Sequence, residues 1–308
     1  MDKCVGTNAG LSMTHVATLI AKPGALDQPA VDRARSLLPQ PGAPQWLAEK
    51  TAADIPFSPE SAADQRALAE RVRAALSGTD VVIQPASGRR KKLFLADMDS
   101  TMIAQECIDE LADRAGIKAH IAAITERAMR GEIAFEPALR ERVGLLKGLP
   151  RATIDEVIRE RITLTPGARE LIATMRRNGT HTVMVSGGFT QFTDRIAEMI
   201  GFHENRANVL EIDGDTIAGT VAEPIFGRDA KKAALIELRT QLKLGKAETL
   251  AIGDGANDMD MIEEAGLGVA YHAKPRVAEA APARIDHGDL TALLYLQGYR
   301  REEFASVA

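Results

Sequence analysis

Four apolar residues, Leu93-Phe94-Leu95-Ala96, run without a break into Asp97-Met98-Asp99-Ser100-Thr101. So short a run, bounded by polar residues, predicts a strand buried on both faces, and that requires a parallel sheet covered on each side. Side chains alternate along a strand, so Asp97 and Asp99 are expected to point the same way, roughly 7 Å apart along the backbone. Both carboxylates then lie beyond the strand's C-terminal end, the place where open parallel sheets bind ligands. Two anions held together repel unless a cation lies between them or one keeps its proton. The stretch therefore asks for a hard metal ion, a protonated carboxyl, or both. Asp-x-Asp alone is weak: the chain repeats it at Asp213/Asp215, around a glycine that reads as a hairpin turn, and at Asp258/Asp260.

The surrounding chain gives the first copy its context. Residues 1–12 read as a frayed start. Thr14 to Ala21 suggests a strand, Ala30 to Leu38 a helix after the Pro23-Gly24 break, Trp46 to Ala53 a strand, Ser61 to Leu76 a helix and Asp80 to Gln84 a strand. That β-α-β-α-β order predicts a small N-terminal α+β domain over residues 1–88, closed by the turn-rich Pro85 to Arg90, with residues 89–308 as a second domain. His15 and Trp46 read as packing residues. After the Asp97 loop, residues 106–163 show helical patterns only, with Pro137 suited to a first turn, so an all-helical insertion is expected to act as a lid.

From Thr165 onward helices and strands alternate. Helices are expected to Arg177, to Met199 and over Asp229 to Leu242. Strands are expected over His181 to Val185, Thr249 to Ile252, Leu267 to Ala270 and Ala283 to Ile285, with a hairpin around Asp213-Gly214-Asp215. Such alternation predicts α/β architecture: a Rossmann-like parallel sheet with right-handed crossovers.

Length and charge narrow the function. A chain of 308 residues has room for two domains, and a net charge of −5 with 4% aromatic residues excludes a general nucleic-acid binder. Any phosphate must be met locally, by a few placed cations and backbone N–H groups. Cys4 and Cys107 are too few for a disulfide framework, and there is neither a signal-like start nor a run of eighteen apolar residues. A cytoplasmic protein without a membrane span is expected.

Three expected strand ends put polar groups into one crevice: Asp97/Asp99, Ser186/Gly187, and Asp254 with Asn257 and Asp258. Oxygen ligands without nearby His or Cys suit Mg²⁺. Ser186 and the Gly187-Gly188 amides, placed where a helix begins, suit an anion, and Lys231 adds positive charge. Such a site fits a phosphoryl group in transfer. Asp97, ionised at neutral pH, fits a nucleophile, and Asp99 fits the acid that protonates a leaving oxygen and the base that later activates water.

FLADMDSTMIAQECIDELA, GEIAFEPALRERV, VMVSGGF, DAKK and AIGDGANDMDMI occur in that order. Together they resemble the phosphoserine phosphatases of the haloacid dehalogenase superfamily, over about Leu93 to Asp289. The resemblance implies a Rossmann-like core with a four-helix cap, and Mg²⁺-dependent hydrolysis of O-phospho-L-serine to L-serine and phosphate, the last step of serine biosynthesis. It makes Asp97 the phosphorylated nucleophile and Asp99 the acid/base. It assigns Mg²⁺ to Asp97, the Asp99 carbonyl and Asp254, with Asp258 behind them. Ser186, Gly187, Lys231 and Asn257 would hold phosphate, while Glu106 and Arg142 would read the ammonium and carboxylate of serine. Met129 and Phe135 would form an apolar gate in the cap. The implied partner is a small molecule, phosphoserine, with neither nucleic acid nor membrane; oligomeric state stays open, a homodimer being one option. Residues 1–88 read as a diverged regulatory domain lacking a ligand signature. Two alternatives stand: a phosphatase for another small phosphomonoester such as phosphothreonine, or a catalytically silent amino-acid-binding protein.

Overall fold

The computed structural model describes residues 13–59, 65–130 and 132–307, apart from the side chain of Met129. The expected fraying of residues 1–12 and the first turn of a helix from Ser61 fall outside the described residues.

Strand β1 (His15–Ala21) leads into helix α1 (Gln28–Leu37). The Asp27 carboxylate opens that helix by accepting the Ala30 N–H at 2.8 Å, satisfying one of the amides a first turn leaves free. The single strand expected over Trp46 to Ala53 is two strands, β2 (Gln45–Ala48) and β3 (Ala52–Phe57). Lys50 adopts φ 52°, a left-handed conformation that reverses the chain between them. Helix α2 (Gln65–Ala74) and strand β4 (Thr79–Pro85) follow. The order is thus β-α-β-β-α-β, the split βαβ arrangement, and its sheet runs β2-β3-β1-β4 with antiparallel neighbours throughout. Leu19, Ile55 and Val81 from the strands meet Val31 and Val72 from the helices in a core of its own.

Strand β5 (Leu93–Ala96) is buried along its whole length, as expected. Helices α3 (Cys107–Arg114), α4 (Lys118–Met129), α5 (Phe135–Gly144) and α6 (Ala152–Glu160) form the insertion. Then come α7 (Ala168–Arg177), β6 (His181–Phe189), α8 (Thr190–Ile200), β7 (Glu204–Asn208), the hairpin β8 (Leu210–Asp213) and β9 (Thr216–Val221), and α9 (Arg228–Gln241). The chain finishes with β10 (Thr249–Gly253), α10 (Met259–Glu264), β11 (Leu267–Tyr271), α11 (Pro275–Ala280), β12 (Ala283–Ile285) and α12 (Ala292–Leu296). Six parallel strands form the sheet β12-β11-β10-β5-β6-β7. Strand β7 escapes sequence reading because Glu204-Asn205-Arg206 shows no apolar alternation, a consequence of its place at the sheet's edge.

Two connections matter for the site. The chain enters and leaves the insertion side by side, with Ala104 N–H bonded to Thr163 O and Thr165 N–H to Met102 O, each at 3.0 Å. The link between α5 and α6 is laced to the β8–β9 hairpin: Gly148 N–H donates to Ile217 O, Ile217 N–H to Leu149 O and Arg151 N–H to Asp215 O. The hairpin therefore belongs to the cap wall, a pairing no local pattern announces.

Arg89 fastens the N-terminal sheet to the rest. Its guanidinium meets Asp54 at 2.5 Å and donates to the carbonyls of Leu296 and Tyr295 at 3.0 and 2.9 Å.

Candidate active site

Strand β5 lies between β10 and β6, so their C-terminal ends deliver the three expected clusters to one crevice. The Asp97 N–H continues the ladder to Ile252 O at 3.0 Å, which fixes the residue as the strand ends. Asp99 does not extend that strand: the backbone turns through Met98–Met102, and Ser100 takes φ 53°. Both carboxylates still line one cavity of about 480 Å³, brought there by the turn rather than by strand alternation.

Lys231 sits at the bottom. Fully buried on α9, its ammonium donates to Asp97 at 2.6 Å and to Asp258 at 2.7 Å. Burial by itself would strip its proton; the charges of Asp258 and Asp97 outweigh that and hold the ammonium on. Asp258 also accepts the Gly255 N–H at 3.0 Å. Thr101, part of the polar stretch after Asp99 but with no role assigned by the sequence, donates its hydroxyl to Asp254 at 3.4 Å. One carboxylate oxygen each from Asp97, Asp254 and Asp258 lies within 4.8 Å of the others.

Charge in this floor is unbalanced. Asp97 is pushed well above the usual carboxylate range, first by burial, then by Asp258, with Lys231 pulling the other way. Asp254 is raised to about 6 by burial, Asp258 and Glu106, and Asp99 to about 7 by burial and Glu106, against hydrogen bonds from Cys107. Among the described residues, carboxylates gathered around the buried Lys231 ammonium offer oxygen donors, which fit a hard divalent cation.

The wall is built from the cap. Glu106 is held by the Ser100 hydroxyl at 2.7 Å. Arg142, half-buried on α5, is oriented by Ala138 O at 3.2 Å and reaches the Thr125 hydroxyl at 3.5 Å. Glu106, Arg142, Gly187 and Asn257 all line the cavity. The Phe135 ring packs so tightly on the core that a Cβ at Gly187 or Gly227 would stand 3.3 or 3.2 Å from it. The side chain of Met129, its expected companion, is outside the described residues.

The helix expected to begin at Ser186 begins later. Ser186 and the Gly187-Gly188 amides do not open a helix: β6 runs on through Phe189 and α8 starts at Thr190. Ser186 is buried, and its Oγ accepts the Gly188 N–H at 2.9 Å, so that amide is already engaged. Asn208 carries the neighbouring turns, donating to Gly187 O at 2.9 Å and Phe226 O at 3.0 Å and accepting from Phe226 N–H at 2.6 Å. Thr125, Arg228 and Lys274 also line the cavity, and nothing in their local sequence distinguishes them from ordinary surface residues.

The model of the haloacid dehalogenase-like hydrolases matches residues 94–263. The chain belongs to that family. A phosphoserine phosphatase of Polaromonas sp. is 49% identical over 210 residues, 67% of this chain and 89% of that protein. The Mycobacterium tuberculosis phosphoserine phosphatase is 42% identical over 75% of this chain and 56% of its own length. Among solved structures, a family hydrolase from Salmonella enterica serovar Typhi superposes with a TM-score of 0.82 at 29% identity, over 92% of this chain and 98% of that one. A substrate-bound phosphoserine phosphatase matches with a TM-score of 0.62 at 38% identity, over 67% and 97%. Phosphatases of this family are metal-dependent, which agrees with the cation-deficient floor.

Proposed function

We propose that the chain is a phosphoserine phosphatase, hydrolysing O-phospho-L-serine through an aspartyl-phosphate on Asp97. The observation that carries this reading is Lys231 bridging Asp97 and Asp258 beneath a cavity walled by Glu106 and Arg142. The names of the relatives agree with it.

One Asp97 oxygen is held by Lys231, which leaves the other to attack phosphorus. The bond from phosphorus to the serine oxygen breaks as Asp99 gives that oxygen its proton. Asp99, now a carboxylate, takes a proton from water, whose oxygen attacks the phosphoaspartate and releases phosphate with Asp97 restored. Such a group works best with a pKa near the working pH, and Asp99 lies at about 7. Lys231 offsets negative charge as phosphorus is attacked, with Asn257, Gly187 and Ser186 shaping the phosphate pocket. Asp97, the Asp99 carbonyl and Asp254 would hold Mg²⁺, with Asp258 behind them. Bound there, the ion would supply positive charge that returns Asp97 to its ionised form and offsets the negative charge of the phosphate. Arg142 can take the substrate carboxylate in a bidentate pair and Glu106 its ammonium, while Phe135 closes the cap on the core. In this reading residues 1–88 and 89–308 are separate domains, with the cap at about 106–163.

Phosphate release from O-phospho-L-serine, O-phospho-L-threonine and p-nitrophenyl phosphate, each with and without Mg²⁺, tests the assignment. Mg²⁺-dependent turnover with the highest kcat/KM on phosphoserine is expected. Faster turnover of phosphothreonine would move the substrate, and no turnover of any would reject the enzyme.

A further inference from the structure

The buried carboxylate of Asp80, on β4 of the N-terminal sheet, serves no part of its own sheet's core. It is fully buried and reaches into the loop after β12, where it accepts the N–H groups of Asp286 at 2.7 Å, Gly288 at 2.7 Å and His287 at 3.2 Å. Amides from three consecutive residues gripping one carboxylate fix a loop's conformation far more tightly than a single contact would. A sheet that merely rests on a neighbour has no need of such a clamp.

The clamped loop then makes two contacts of its own. Gly288 O bonds to His272 Nε2 at 2.8 Å, and His272, at φ 43°, stands two residues before Lys274. Lys274 lines the cavity, and its N–H lies 3.4 Å from Asp254 O. Farther along, Leu290 N–H donates to Pro166 O at 3.1 Å, and Gly167 (φ 83°) lies so close to Thr291 that a Cβ there would stand 2.8 Å from it. Pro166 and Gly167 follow the leg by which the chain returns from the cap, itself bonded through Thr165 N–H to Met102 O. One loop thus reaches both the cavity rim and the foot of the cap, and a residue of the N-terminal sheet sets its shape.

We propose that Asp80 is a positioning residue for the substrate cavity, so that the N-terminal sheet completes the phosphatase rather than being appended to it. The inference rests on the function proposed above. Asp97, Asp99, Lys231 and Asp258 are held by other elements, so the chemical step is spared. The rim and the cap foot shift instead, and substrate binding carries the loss.

Asp80→Asn replaces one acceptor oxygen with an amide that faces N–H groups. The expected result is a KM for phosphoserine raised ~5- to 20-fold with kcat within about threefold, since small displacements of positioning groups weaken productive binding. Amide hydrogen exchange, measured without substrate, should quicken about tenfold or more at residues 163–167 and 272–274. Gln84→Ala supplies the comparison: it removes a 2.7 Å bond to Leu296 O across the same junction without touching the loop. It should lower Tm while leaving KM and exchange at those segments unchanged. His272→Ala, at an exposed position, removes the side-chain bond from the loop to the rim while the His272 N–H bond to Ile285 O and the junction remain, and it should raise KM as well, which keeps the idea testable if Asp80→Asn does not fold. If Asp80→Asn or His272→Ala leaves KM and exchange at wild-type values, or if Gln84→Ala changes them equally, Asp80 is an anchor only. Wild-type protein inactive on phosphoserine would instead remove the function proposed above, and the exchange result would still stand or fall by itself.

Discussion

The floor and the wall of the cavity are built in opposite ways. On the floor, Asp97, Lys231 and Asp258 are at most 4% exposed and interlock through one ammonium. On the wall, Glu106 is exposed and Arg142 half-buried, each held by one or two contacts from a cap that joins the core through adjacent legs. A buried, charge-dense floor can stabilise a phosphoryl group whatever alcohol bears it. A looser, partly solvated wall can choose among alcohols, and it can move. In the proposed function, reaction type is thus written into the strand ends and substrate choice into the cap.

Changes to the floor should have the largest effect. Asp97→Asn keeps shape and removes the proposed nucleophile, so kcat should fall by at least ~10³-fold on every phosphomonoester while the protein stays folded. Single-turnover phosphate release, with near-ultraviolet circular dichroism as the fold control, measures this. Retained turnover would place the nucleophile elsewhere. Lys231→Met should lose ~10²- to 10³-fold in kcat. It should also cost the metal-free protein about 3 kcal/mol in denaturant melts, because two buried carboxylates lose their counter-charge. Activity lost without any change in stability would mean that the ammonium is not the hub of the floor.

The wall should respond more mildly and more selectively. Arg142→Ala should raise the KM for phosphoserine ~10- to 100-fold, in line with loss of a charge-assisted pair, with kcat changed by less than about fivefold. Turnover of p-nitrophenyl phosphate, which has no carboxylate to read, should stay at the wild-type rate. Equal losses on both substrates would erase the distinction between wall and floor.

Legibility in the sequence follows the same division. Strands β5 and β10 are short apolar runs that stop at acidic residues, so burial and polarity change at one point and the meeting of Asp97, Asp254 and Asp258 in one crevice is legible in the sequence. Edge strand β7 is not, because its surface demands polar side chains. The two strands around Lys50 read as one because apolar residues flank the reversal on both sides, and Lys50 turns the chain through its backbone angle. Gly187-Gly188 reads as a turn before a helix, whereas tertiary pairing with β7 carries the strand onward past Ser186 to Phe189. Thr101 and Asn208 act through contacts made across the fold, and no local spacing encodes those. The cap's pinning to the β8–β9 hairpin is invisible for the same reason.

The smallest effect tests whether the floor is short of positive charge. Unfolded, Asp254 and Asp99 titrate near 3.8; folded, burial and neighbouring anions raise them to about 6 and about 7. Between roughly pH 4 and 7 the folded chain binds protons that the unfolded chain has released, so stability falls as pH rises through that window and is highest below it. The metal-free protein should therefore melt about 3–6 °C higher at pH 5.5 than at pH 8, a shift typical of one to two kcal/mol in a chain of this size. Saturating Mg²⁺ should flatten the slope by supplying the missing counter-charge, and Asp254→Asn should lessen it without metal, leaving the larger share that belongs to Asp99. Arg142→Ala, confined to the wall, should leave it as it is. A metal-free Tm that rises toward pH 8 would mean that the floor carboxylates are already balanced, and the contrast between floor and wall would lose its electrostatic basis.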